Sequence, residues 1–313
     1  MNKEHLSFLA LCDLRGVGFE TLRKISSERI SYSSFFDLKI RSELSKNDAL
    51  RTRFSKIFEH LDTPESCSEA LKEGRRKLDY FGRRGVSLIF RTDERYPKRL
   101  SDLNDPPHWI FVEGHIKALQ GNAVAAVGSR KVSSDGKWLA TYFGYCLQEL
   151  NVVTVSGLAE GVDQIVHRAS IAAGLPTIAV LGTGILLNYP KGSESLRQEI
   201  IDGGGCIVTE YLPNDSFSAR NFVRRNRIQA ALGDIVFPIE WGVKSGTAHT
   251  VKFASALERP IIYARTPMQA EQDWIPSNLL QNSIRLTLPQ EHDAFLKFLK
   301  DGLTAEPTQK SFF

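Results

Sequence analysis

Six short apolar runs constrain this chain more than anything else in it. They are AVAAV (123–127), VVTV (152–155), TIAVL (177–181), CIVT (206–209), IVFPI (235–239) and PIIY (260–263), and they begin 29, 25, 29, 29 and 25 residues apart. Each interval holds one helix and two turns. None of the runs alternates apolar with polar residues, so each reads as a strand covered on both faces. The spacing therefore predicts an α/β fold: a doubly wound, mainly parallel sheet with right-handed crossovers. Pro238 cannot donate to a ladder and is expected at the end of its strand.

The N-terminal region has a different texture. Leu6, Leu9, Ala10 and Leu14 recur at helical spacing, and a second helix is expected near Glu20, after Gly16-Val17-Gly18. LRGVGFETLRKI resembles a helix-hairpin-helix element. Such an element can aim backbone N–H groups at a DNA phosphate, or it can be a tight turn in a small bundle. A charged helix follows over about 66–85. The expected layout is an all-helical domain at 1–88, a Rossmann-like domain at 89–300 that includes an irregular connector at 89–118, and a tail at 301–313. With 313 residues there is room for two domains.

Charge totals decide little: 40 Lys+Arg against 36 Asp+Glu leave +4. No apolar stretch approaches the ~20 residues that cross a bilayer. The N-terminus lacks a signal-peptide core, and the four cysteines are far apart with no CxxC pair. The expectation is a cytoplasmic protein without a membrane, metal or cofactor.

Ligands of such sheets bind at the carboxyl ends of the strands. The segments there are Gly128-Ser129-Arg130, Ser156-Gly157, the loop reaching Lys191, Phe222 before Arg224-Arg225-Asn226-Arg227, and Lys244-Ser245-Gly246-Thr247. Glycines admit a close anion, helix N-termini aim N–H groups at it, and arginine adds a bidentate fork. Together they compose a phosphate-binding crevice. The run Arg224–Arg227 reads as opening a helix, where cations oppose the dipole. That placement calls for an anionic partner or for local acids. His167 and His249 fall near the crevice and read as packed or hydrogen-bonded side chains, so no catalytic residue is assigned.

RYPKRLSDLNDPPHWIFVEG, AVGSRKVSSDG, VVTVSGLAEGVDQIVH, TIAVLGTGILLNYPKGSESL, IVTEYL, FVRRNRIQAAL and KSGTAHT occur in this order. In these segments, from about Leu88 to Tyr263, the chain resembles the DprA (Smf) family of DNA-processing proteins. The resemblance implies a single-stranded-DNA-binding mediator that loads a RecA-type recombinase during natural transformation. It further implies no catalysis, a homodimer, and an extended Rossmann-like domain behind a helical domain resembling a sterile alpha motif. By motif, Arg130 would grip a phosphate beside Gly128 and Ser129, and Ser156 and Gly157 would line the next wall. Phe222 would meet bases, Arg225, Asn226 and Arg227 would hold the backbone, and Ser245, Gly246 and Thr247 would close the pocket.

Three positions depart from the family pattern: Glu160 replaces its arginine, Val223 its proline, and the last loop reads SGTAHT. The winged helix of many members is expected to be absent. A rival reading is a nucleotide sensor, or a hydrolase resembling the lonely-guy phosphoribohydrolases, using the same crevice. There Thr250 stands where that group carries a carboxylate, with Glu240 nearby.

Overall fold

The computed structural model describes residues 3–304, which fall into two compact units. The first comprises residues up to 91 with 108–111 and 210–212. Its helices are α1 (Lys3–Leu11), α2 (Phe19–Ser27), α3 (Leu38–Lys46), α4 (Asp48–Arg53), α5 (Ser55–His60) and α6 (Pro64–Arg84). The turn between α1 and α2 takes Gly16 into the left-handed region, at φ +83°. The reciprocal Thr63 and Ser66 bonds start α6, and Gly85 ends it in the left-handed conformation. Phe8 sits edge-on to Tyr32 and Phe90, with centroids at 4.9 and 5.5 Å.

The end of the expected helical domain and the start of the expected connector instead form strand β1 (Val86–Phe90). Gly85 breaks the helix, and VSLIF is rich in residues that fit a pleated surface. The connector also departs from its expected irregularity. It carries β2 (Trp109–Gly114), whose first five residues are buried.

The second unit contains the six expected strands: β3 (Ala123–Gly128), β4 (Val153–Ser156), β5 (Thr177–Val180), β6 (Cys206–Thr209), β7 (Ile235–Ile239) and β8 (Ile261–Arg265). A further strand, β9 (Ser283–Thr287), was not foreseen. Their order is β6-β5-β4-β3-β7-β8-β9, with parallel pairings throughout. Between them run α7 (Ser134–Cys146), α8 (Val162–Ala172), α9 (Glu194–Asp202), α10 (Ala219–Leu232) and α11 (Thr247–Ala256). The chain steps outward from β3 to β6, then returns to β7 on the other side of β3. The carboxyl ends of β3 and β7 are thus the topological switch point, where a cleft opens.

Val124, Ala126, Phe143 and Phe237 are fully buried in one core with Phe295. Each such large side chain contributes about 1.5–3 kcal/mol. Pro238 pairs with Val127 of β3, and the β7–β8 pairing lies earlier, at Val236, so its missing N–H costs no bond to β8. PIIY, the last of the six apolar runs, does not form the sheet edge, because β9 pairs along the whole of β8. The chain then enters α12 (His292–Thr304), so the expected tail is helical through Thr304. Residues 305–313 of that tail lie outside the described residues. Among the described residues no helix is long and apolar enough to cross a membrane.

Candidate nucleic-acid interface

A cleft of about 370 Å³ opens at the switch point, entirely within the second unit. Gly128, Ser129 and Arg130 form one wall, where β3 ends; Ser245, Gly246 and Thr247 form the opposite wall, where β7 gives way to α11. Phe222, Arg225 and Asn226 reach in from α10.

Arg130 is exposed, and its guanidinium lies 5.4 Å above the Phe222 ring. No carboxylate stands within salt-bridge distance of it among the described residues. It is a cation held by an aromatic face and out of salt-bridge reach of Asp163, the buried carboxylate of the same cleft whose charge it feels, an arrangement that leaves the fork available to an anion. Phe222 is half-buried. Gly182 supplies its seat, since a Cβ there would stand 2.6 Å from the ring's Cδ1. Asn226 donates through Nδ2 to the Gly246 carbonyl at 3.0 Å and so fixes the loop before α11.

The arginine run separates in space. Arg225 is buried, donates to the Val180 carbonyl and lines the cleft. Arg224 instead bonds the Asp105 carboxylate at 3.1 Å. Arg227, 5% exposed, donates to the Asp105 carbonyl at 3.1 Å and the Arg224 carbonyl at 3.2 Å. Neither lines the cleft. The expectation that the run opens a helix also fails: Ser218 caps α10 by accepting from the Asn221 amide at 3.0 Å, so the arginines occupy its second and third turns.

Ser156 is fully buried, donates to the Ala126 carbonyl at 2.6 Å and is not itself among the lining residues. Gly157 is buried behind it; a Cβ there would meet the Asp163 carboxylate at 2.2 Å and the Arg225 guanidinium at 2.3 Å. Lys191 and Lys244 are exposed loop residues outside the lining. Glu160 is exposed too.

Residues absent from the sequence reading complete the site. Asp163 is buried in the wall. Burial pushes its carboxyl up, while the charge of Arg225 and the Ala159 amide oppose that rise. Gln229 and Trp241 also line the cleft, and Trp241 is stacked on Tyr263 at 5.9 Å. No motif marks these residues. The only signal is a polar residue inside an otherwise apolar helical face, as with Gln229 among Ile228, Ala230 and Ala231. Glu240 adopts φ +47°, and its carboxylate accepts from the Ser133 amide at 2.9 and 3.0 Å, capping the approach to α7. His167 lies outside the lining. It is fully buried, with Nδ1 2.7 Å from the Thr177 hydroxyl, and burial, aided by Arg225, holds its pKa down at about 3.

The fold and site define a class: Rossmann-like α/β proteins with an arginine-bearing, aromatic-sided cleft at the switch point of a parallel sheet. Within that class, the chain belongs to the DNA recombination-mediator protein A family, whose model matches residues 87–300. It is 33% identical to protein Smf of Escherichia coli over 227 residues, covering 72% of this chain and 60% of that protein. It is 37% identical to DNA processing protein DprA of Streptococcus pneumoniae over 164 residues, covering 52% and 57%. The chain thus spans about three fifths of these relatives' length. The crystal structure of the S. pneumoniae DprA shares the fold, with a TM-score of 0.62 at 24% identity over 94% of this chain and 98% of that one. A Helicobacter pylori DNA processing protein A, described for its single-stranded DNA binding mode, aligns with a TM-score of 0.59 at 25% identity, covering 69% of this chain and 96% of that one.

Proposed function

We propose that this chain is a recombination mediator that binds single-stranded DNA in the cleft between β3 and β7 without chemistry upon it. The observation that carries the reading is Arg130, an exposed guanidinium outside any salt bridge and poised over Phe222 at the cleft mouth. A phosphate draws the fork off the ring, and the vacated aromatic face takes a base. The amides at the start of α11 add anion-binding capacity from the other wall. Sequence-tolerant single-strand binding needs this pairing of cation and aromatic face. The H. pylori relative's description supports the same reading. The partner that receives the strand would be a RecA-type recombinase, in the cytoplasm, and the working unit a homodimer formed through the β8–β9 end of the sheet.

Fluorescence anisotropy with oligo-dT and with a duplex in matched salt tests the proposal. Tighter binding of the single strand is expected, and equal affinity for both refutes it. The hydrolase alternative has less support. Thr250 offers a hydroxyl where a carboxylate is required, and the Glu240 carboxylate is engaged by Ser133. Release of adenine from AMP would revive it.

A further inference from the structure

Phe222 is the innermost of three aromatic rings. Tyr189, on the loop after β5, packs on it with centroids 5.2 Å apart at 40°. Phe217 then stacks on Tyr189 at 4.7 Å and 28°. Phe217 is 57% exposed, directly before the Ser218 cap of α10. A lone exposed phenylalanine is ordinary. This one is held in place from behind, presents an open face, and continues the ring that lines the cleft. Phe222 itself has little free face, since Arg130 covers one side and Gly182 and Tyr189 close around it. On the Phe222 side of the cleft the open aromatic surface is therefore Phe217.

We propose that Phe217, backed by Tyr189, is a second base-stacking subsite for the strand whose phosphate Arg130 holds. Its ligand is an unpaired nucleobase one or two nucleotides beyond the cleft. The inference rests on the single-strand reading above. Lys191, exposed two residues after Tyr189, stands on the same loop and supplies a cation for the intervening phosphate. The alternating aromatic and cationic groups match a nucleic-acid strand, which repeats base and phosphate; an apolar protein surface has no use for the charges. Stacking on such a ring is sequence-tolerant, because every base has a π-face. The subsite therefore lengthens the footprint without adding base preference.

The test uses the full chain and anisotropy with long oligo-dT, with a thymidylate dinucleotide as a competitor too short to reach the ledge from the cleft. Phe217→Ala should weaken long oligo-dT about 5- to 150-fold, the equivalent of about 1–3 kcal/mol for one stacked base. It should leave dinucleotide binding, the salt slope and the melting temperature unchanged. Phe217→Trp should restore affinity, and its added fluorescence should be quenched by oligo-dT. An abasic oligonucleotide should bind wild type and Phe217→Ala alike. Unchanged affinity of Phe217→Ala for long oligo-dT overturns the proposal, as does an equal loss on abasic strands. A change in mass by light scattering without a change in DNA affinity would give the ledge to a second copy of the chain and overturn it also. Arg130→Ala separates the two claims. If wild type binds no single strand, or Arg130→Ala is without effect, the cleft reading fails. If only Phe217→Ala is silent, the ledge alone fails.

Discussion

Arg130 and Arg227 share a side chain but not a physical situation. Arg130 lies exposed over a ring, whereas Arg227 is buried and spends its donors on the Asp105 and Arg224 carbonyls. Arg227→Ala should therefore lower stability by about 1–3 kcal/mol, the cost of leaving buried carbonyls unmet. Chemical denaturation would show that loss, while the salt dependence of DNA binding should stay at its wild-type slope. His167 gives a second residue-scale expectation. Its folded pKa of about 3 lies below the unfolded 6.5, so the unfolded chain binds the extra proton between those values. The stability it confers is complete above pH 6.5 and is lost as pH falls toward 3. By pH 5 the loss should reach about 2 kcal/mol. Urea titrations at pH 7 and pH 5 would measure it. His167→Gln should flatten that difference, and an undiminished difference would contradict the assignment.

At the scale of elements, the seat of Phe222 depends on the chain after β5. A Cβ on Gly182 would intrude on the ring at 2.6 Å. Gly182→Ala should thus displace Phe222 and weaken single-strand binding, with oligo-dT anisotropy as the measure; wild-type affinity would mean that the ring has no role. The elements themselves were unequally legible. β3 to β8 announce themselves because strands buried on both faces are unbroken apolar runs. β9 does not, since SIRLT mixes apolar residues with Ser283 and Arg285 on a half-buried strand. β2 was hidden beside Pro106 and Pro107, which mark irregular chain. The start of α10 lies at Ser218, whose hydroxyl is the cap, and not at the more conspicuous run of arginines six residues on. In the site, the loops after β3 and β7 could be read from their small residues. Asp163, Gln229 and Trp241 could not, because only the folded sheet brings them to one cleft.

Among the described residues the sheet ends on one side at β9, which pairs with β8 on its inner side. An exposed edge is a template for a second chain, and a two-fold pairing there closes the assembly. Light scattering at tens of micromolar should give the mass of a homodimer, and a monomer would contradict this. Strand binding in the cleft depends on one property, that Arg130 holds a phosphate of the unpaired strand. The most direct measurement is oligo-dT affinity as a function of salt for wild type and Arg130→Ala. The variant should bind every single-stranded sequence more weakly and alike, with a log–log salt slope shallower by about 0.7, the share of one phosphate. An Arg130→Ala protein with wild-type affinity and an unchanged slope would contradict it.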